Sequence, residues 1–159
     1  MNGIKMQQQR WIFVIKIIRK PGVLNSISGV FANWGVSLEI AMLNAGGTEG
    51  SDGIVILSFA SNQRKRAIME RNISRLSRVS DLKSYPYETE ELRMIAACTV
   101  DSTCLLKEDD RIEIEEHPRK DETRLVYLSG TVKDVDAYIT PMVKRQEIKE
   151  LVRTILTAW

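Results

Sequence analysis

The chain has 159 residues, 43% of them hydrophobic and 28% charged, and a formal net charge of +2. That length suits one ordinary domain or two small ones, and the balance is that of a soluble globular protein. The small net charge argues against a dedicated nucleic-acid binder, because the basic run Arg64-Lys65-Arg66 is short and falls on an expected helix, where it reads as a solvated face.

Met1 to Gln9 is polar and reads as a loosely held tail. Trp11 to Ile18 is apolar, β-branched and aromatic, the pattern of a strand with neighbours on both sides. The run is too short to cross a bilayer, contains Lys16, and is followed by Arg19-Lys20-Pro21 rather than by small residues. It is therefore neither a membrane span nor a signal peptide, and a cytoplasmic location is expected. Pro21 ends the strand and Gly22 opens conformations closed to other residues. Leu24, Ile27, Val30, Phe31 and Trp34 then recur at helical spacing up to Gly35, which stands where a helix C-cap is expected. A helix that starts at Gly22 leaves its first N–H groups without internal acceptors, at the positive end of its dipole. That makes a weak anion site suited to a carboxylate, although most such turns bind nothing.

Val36 to Met42 alternates at first like an antiparallel strand. Asn44 to Gly53 is glycine-rich and acidic; its Gly46-Gly47-x-x-Gly50 lacks the Lys-Ser/Thr of a phosphate loop and precedes a strand, so the stretch reads as a flexible connection. Ile54 to Phe59 is a second continuous apolar strand. Ser61 or Asn62 can cap a second helix that carries Ala67, Ile68, Ile73 and Leu76 on one side, and a weaker strand follows at Val79 to Tyr85. The order is strand, helix, strand, strand, helix, strand, with the first and third strands the most apolar. A sheet of order 4-1-3-2 puts those two in the centre, which predicts an α+β, ferredoxin-like βαββαβ fold. Helices on one face would leave the other partly apolar and in need of a partner. Pro86 and Glu88-Thr89-Glu90-Glu91 read as a linker. The expected division is a tail at 1–9, a first domain at 10–86, a linker at 87–91 and a second domain at 92–159.

The second half reads as a shortened repeat of the first. Leu92 to Val100 is an apolar strand, and Asp101 to Asp110 is too short for a crossover helix with its turns. Arg111 to Glu116 alternates with charges like an edge strand, His117-Pro118 to Asp121 is a turn, and Leu125 to Leu128 is a strand ending at Ser129-Gly130. Asp134 to Lys144 is helical, with Val135, Tyr138, Ile139 and Met142 on one side and Pro141 placed to kink or end it. Ile148, Leu151, Val152, Ile155, Leu156 and Trp159 fit helical spacing, yet the topology needs a strand there. Cys98 reads as a small buried hydrophobe and Cys104 as more exposed. Two cysteines and His117 make neither a disulfide framework nor a zinc site. The carboxylates at 108–110 and at 113, 115 and 116 suit a solvated loop and edge. No nucleophile stands near a base, so no enzyme, metal or cofactor is expected.

Lys20-Pro21-Gly22-Val23-Leu24, Gly29-Val30-Phe31 and Gly35-Val36-Ser37-Leu38-Glu39 together resemble the opening of an ACT domain, a small amino-acid-binding regulatory module. The chain is most similar to the regulatory (small) subunit of acetolactate synthase. Residues 73–82 resemble the end of that family's first domain, and Glu90 to Ile95 the start of its second. Leu128-Ser129-Gly130-Thr131, Asp136-Ala137-Tyr138-Ile139, Pro141 and Ile148 to Thr154 resemble its C-terminal signature. The resemblance implies an ACT domain followed by an ACT-like half, with a strand at the C-terminus. It implies a non-catalytic, dimeric subunit that binds the thiamine-diphosphate-dependent catalytic subunit and mediates feedback control by valine or another branched-chain amino acid. The effector would lie between paired first domains, against Arg19, Gly22, Val23 and Leu24 of one copy and Ser37 and Leu38 of the other. Departures are Ser37, where the family carries Asn, Ile18-Arg19 in place of Glu-Asn, and Ile155 in place of Gly. A stand-alone amino-acid sensor acting on another partner is the alternative reading.

Overall fold

A computed structural model describes residues 7–44 and 51–157 of the chain. The run of β-branched and aromatic side chains after Gln8 forms β1 (Gln9–Ile18), two residues longer at its start than the apolar run, because Gln9 and Arg10 still pair with Ser61 and Ala60. There follow α1 (Val23–Asn33), β2 (Leu38–Asn44), β3 (Asp52–Ser61), α2 (Gln63–Ser74) and β4 (Val79–Pro86). The strand order is β2-β3-β1-β4, all antiparallel, with the two most apolar strands in the centre as the hydrophobicity ranking requires. Of the predicted glycine-rich connection from Asn44 to Gly53, residues 45–50 lie outside the described residues, as do the first six of the predicted tail, while Asn44 belongs to β2 and Asp52 and Gly53 to β3.

One face of this sheet packs on both helices. Phe13, Ile15 and Ile17 of β1 and Val55, Leu57 and Phe59 of β3 meet Val23, Ile27 and Phe31 of α1 and Met69 and Ile73 of α2. Phe13, Phe31 and Phe59 form an edge-to-face group with ring centroids 4.7, 5.0 and 6.2 Å apart, an arrangement that adds about 0.5–1.5 kcal/mol per pair beyond area burial. Asn62 caps α2 by accepting the Lys65 N–H at 2.9 Å. On that helix Met69, not Ala67 or Ile68, is the fully buried anchor beside Ile73.

The second face carries Ile12, Val14, Ile56 and Ser58, each 0–3% exposed in the full chain, and is partly apolar as the sequence predicts. The chain turns back after β4, where the Tyr87 N–H donates to the Arg10 carbonyl at 3.0 Å. The Arg10 guanidinium lies 3.5 Å over the Tyr87 ring and pairs with Glu39 at 2.7 Å.

The chain divides into two compact units, Met1–Tyr87 and Glu88–Trp159. The second contains β5 (Arg93–Asp101), β6 (Glu113–Pro118), β7 (Thr123–Thr131), α3 (Val132–Lys144) and β8 (Ile148–Leu156), in the order β6-β7-β5-β8. This is the topology of the first sheet with the helix between its first two strands absent, as the short 101–110 segment predicts. The acidic β6 is an edge strand. Met94, Ala96, Cys98, Val100, Val126 and Leu128 bury one face against Val132, Val135, Ile139 and Met142. On the other face Ile95, Tyr127, Val152 and Leu156 stay 37–69% exposed.

Two details of this unit override local pattern. Pro141 neither ends nor shortens α3, which runs on to Lys144. Its missing N–H costs one bond near the C-terminal end, at the exposed Ala137 turn, where the loss is least. Ile148 to Leu156 is a strand despite its helical spacing. β5 needs a partner on its second side, and the β-branched Ile148, Val152, Thr154 and Ile155 suit that place. Trp159 lies outside the described residues.

Candidate functional site

The Pro21-Gly22 turn sits where β1 leaves the sheet. Ile18 N–H donates to Arg78 O at 2.9 Å and Arg19 N–H to Ser51 O at 3.0 Å, so the last strand residues are held from both sides. Gly22 has φ 83° and ψ −7°, and Val23 N–H reaches Lys20 O at 3.3 Å. That is the geometry of a type II turn, with Pro at the second position and Gly at the third, where a positive φ is required. The Arg78 guanidinium donates to the Pro21 carbonyl and ties the turn to the start of β4.

Gly22 is also the N-cap of α1 and offers no side chain to cap it, and the first helical turn holds no acidic residue. Its carbonyl accepts from Ser26 N and from Ser26 Oγ, both at 3.0 Å, and Val23 N–H goes to Lys20 O, so the N–H groups of Leu24 and Asn25 are the ones left without a helical acceptor. The same turn borders a cavity of about 450 Å³ whose lining includes Ile17, Arg19, Lys20, Gly22, Val23 and Leu24. Two cations and a helix N-terminus on one cavity can hold a carboxylate.

Four of the six residues singled out from the sequence, Arg19, Gly22, Val23 and Leu24, therefore line one cavity. Leu38 lines an adjoining apolar cavity of about 260 Å³, which shares Leu24, Asn25 and Leu43 with the first. Ser37 lines neither. It borders a third cavity of about 280 Å³ with Gly35, Asn62 and Lys65, so within one protomer it is not beside Gly22. Asn25 and Leu43 were not anticipated. Leu43 enters because β2 runs two residues further than the alternating pattern, to Asn44, which sets Leu43 opposite Val55.

The other chemical candidates are occupied structurally. Cys98 is buried, and that burial pushes its thiol up from the ordinary range, which makes it a poor nucleophile. His117 lies on the surface, with Nε2 2.8 Å from Glu115 Oε1. Asp109 bonds Arg111 through both carboxylate oxygens at 2.9 and 2.7 Å, and these bonds hold its carboxyl down to about 2. Among the described residues no group of three or more His, Cys, Asp or Glu is placed to hold a metal, and no helix is long and apolar enough to cross a membrane.

No family model matches the chain, and no curated protein matches its sequence. Among solved structures it is similar to the small subunit of acetolactate synthase from Thermotoga maritima, with a TM-score of 0.64 and 17% identity over 95% of this chain and 98% of that one. It is also matched to an unknown protein from Galdieria sulphuraria (TM-score 0.45, 12% identity, 94% and 98% covered). A third match is the ligand-free regulatory subunit of aspartate kinase from Thermus thermophilus (TM-score 0.45, 12% identity, 88% and 93% covered). The first likeness is one of fold, and it runs through both units, including the second one with its missing helix.

Proposed function

We propose that this chain is a non-catalytic regulatory protein that senses a small carboxylate at the Gly22 turn, and that its partner is the catalytic subunit of acetolactate synthase. The observation that carries the reading is the full-length likeness of fold to the small subunit of that enzyme, over 95% of this chain and 98% of that one. The sequence motifs at 20–39 and 128–154 point the same way. In this reading the effector is valine or a related branched-chain amino acid, and its carboxylate meets the first N–H groups of α1 with Arg19 and Lys20 beside it. A second copy completes the site and brings its own Ser37 and Leu38. In support of pairing, Leu24 and Leu43 line the cavity and stand 43% and 46% exposed, apolar surface that association would cover.

The test is a pull-down from native cytosol with mass spectrometry, followed by turnover of the synthase with and without this chain. Recovery of the synthase and a change in its rate are expected. Absence of any complex at micromolar concentrations overturns the assignment of the partner. Ile18, Arg19 and Ser37, which depart from the family pattern, favour a second reading in which the chain senses an amino acid for another partner. Effector binding without any effect on the synthase selects that reading.

A further inference from the structure

The Gly22 cavity abuts a second one of a different character. β2 is one of the two edge strands of its sheet, and its register sets Ala41 opposite Leu57 and Leu43 opposite Val55 on the face that meets α1. Val55 and Leu57 are 2–3% exposed and floor the space, while Leu24 and Ile27 of α1 and Leu38 and Met42 of β2 wall it. Ala41 is the smallest side chain on this lining, and it leaves unfilled the volume that a larger residue would take. The charged end is also built rather than incidental. A Cβ on Gly53 would come within 3.1 Å of Arg19 Cγ, so the missing side chain there gives the Arg19 stem its seat against β3. The two cavities share Leu24, Asn25 and Leu43 and so adjoin, and together they outline a surface trough with Arg19, Lys20 and the N-terminus of α1 at one end and a mostly apolar groove at the other.

We infer that this trough takes an amphipathic carboxylic acid, its carboxylate at the Gly22 turn and its hydrocarbon chain between α1 and the edge strand β2. The inference rests on the reading of the Gly22 turn as a carboxylate site and adds the occupant of the neighbouring cavity. The anion selects the cationic end, and every lining side chain beyond Leu24 except Asn25 and Ser28 is apolar. An unbranched acid fits such a trough better than a compact amino acid does, because each further methylene leaves water for the α1–β2 cavity.

Unbranched carboxylates from acetate to octanoate, and L-valine, are titrated into the full chain and followed by amide chemical shifts. All acids are expected to move the Gly22 and Leu24 amides, and only the longer ones to move Ala41 and Leu57. Affinity should rise by about fourfold per buried methylene until the cavity is full. Ala41→Trp, at an exposed position of an edge strand, should flatten that dependence and leave acetate binding unchanged; Ser28→Trp blocks the same space from α1 should the first variant misfold. Equal affinity for all chain lengths, or a chain-length dependence that survives both blocking variants, overturns the inference while leaving the Gly22 site standing. Failure of every acid and of valine to move Gly22 overturns both.

Discussion

Gly22 and Gly29 lie seven residues apart in and beside the same helix, and an added methyl group would meet nothing within 4 Å at either position. Crowding therefore predicts no difference between Gly22→Ala and Gly29→Ala, whereas backbone conformation predicts opposite signs. At Gly22 the φ of 83° forces alanine into the left-handed region, a cost of about 1–2 kcal/mol. Gly29 has ordinary helical geometry inside α1, where alanine gains about 0.5–1 kcal/mol by lowering the entropy of the unfolded chain. For a unit of this size each kcal/mol shifts the midpoint by about 4–8 °C. Urea and thermal unfolding followed by tryptophan fluorescence is the assay, since Trp11 and Trp34 lie in the same unit as both glycines. Gly22→Ala should melt lower than the parent and Gly29→Ala higher. Shifts of the same sign, or a neutral Gly22→Ala, would refute the type II turn and with it the free helix N-terminus on which the site depends.

Three further outcomes follow from the same reasoning. The C-termini of α1 and α3 end alike, with Val36 N–H reaching Phe31 O and Glu147 N–H reaching Met142 O, both at 3.0 Å. The left-handed residue is Gly35 at φ 62° in one and Gln146 at φ 59° in the other, so Gln146→Gly should stabilise the second unit by about 1 kcal/mol, read by hydrogen exchange of α3. Gly130→Ala should destabilise the same unit by about 1–3 kcal/mol, because its methyl would come within 2.9 Å of Ile112 Cγ2 and 3.3 Å of the Arg111 carbonyl; denaturant midpoints check this. The Asp109 carboxyl should titrate near pH 2 by carbon-detected NMR and return toward the usual carboxylate range in Arg111→Ala. Because its folded value lies below the unfolded one, its contribution to stability is present above about pH 4 and is lost as pH falls toward 2.

The fold was legible where burial and local propensity agree. Trp11 to Ile18 and Ile54 to Phe59 are apolar on both faces, which only a central strand requires, and their rank against the more polar 36–42 and 79–85 stretches is enough to order the sheet. Gly35 at a helix end, Asn62 before α2 and the short 101–110 connection are read from residue chemistry alone. The 148–156 segment was not legible in this way. Its helical spacing is real, but a strand at that place completes the hydrogen bonds of β5, and pairing across 48 to 63 residues leaves no local signature. The return of Tyr87 onto Arg10 from the far end of the first unit was likewise hidden, since it too joins residues remote in the chain.

The candidate site divides along the same line. Lys20-Pro21-Gly22 specifies its turn by itself, because a fixed φ at Pro21 and a positive φ at Gly22 are properties of those two residues in any context. Whether the turn faces a cavity, and what that cavity is made of, is set by residues remote in the chain. Leu43 and Val55 are neighbours only through the β2–β3 register, and Arg78 reaches the Pro21 carbonyl only because β4 runs beside β1. Conformational preference is a property of adjacent residues and can be read from them; the walls of a cavity come from long-range pairing and exist only once the sheet has formed.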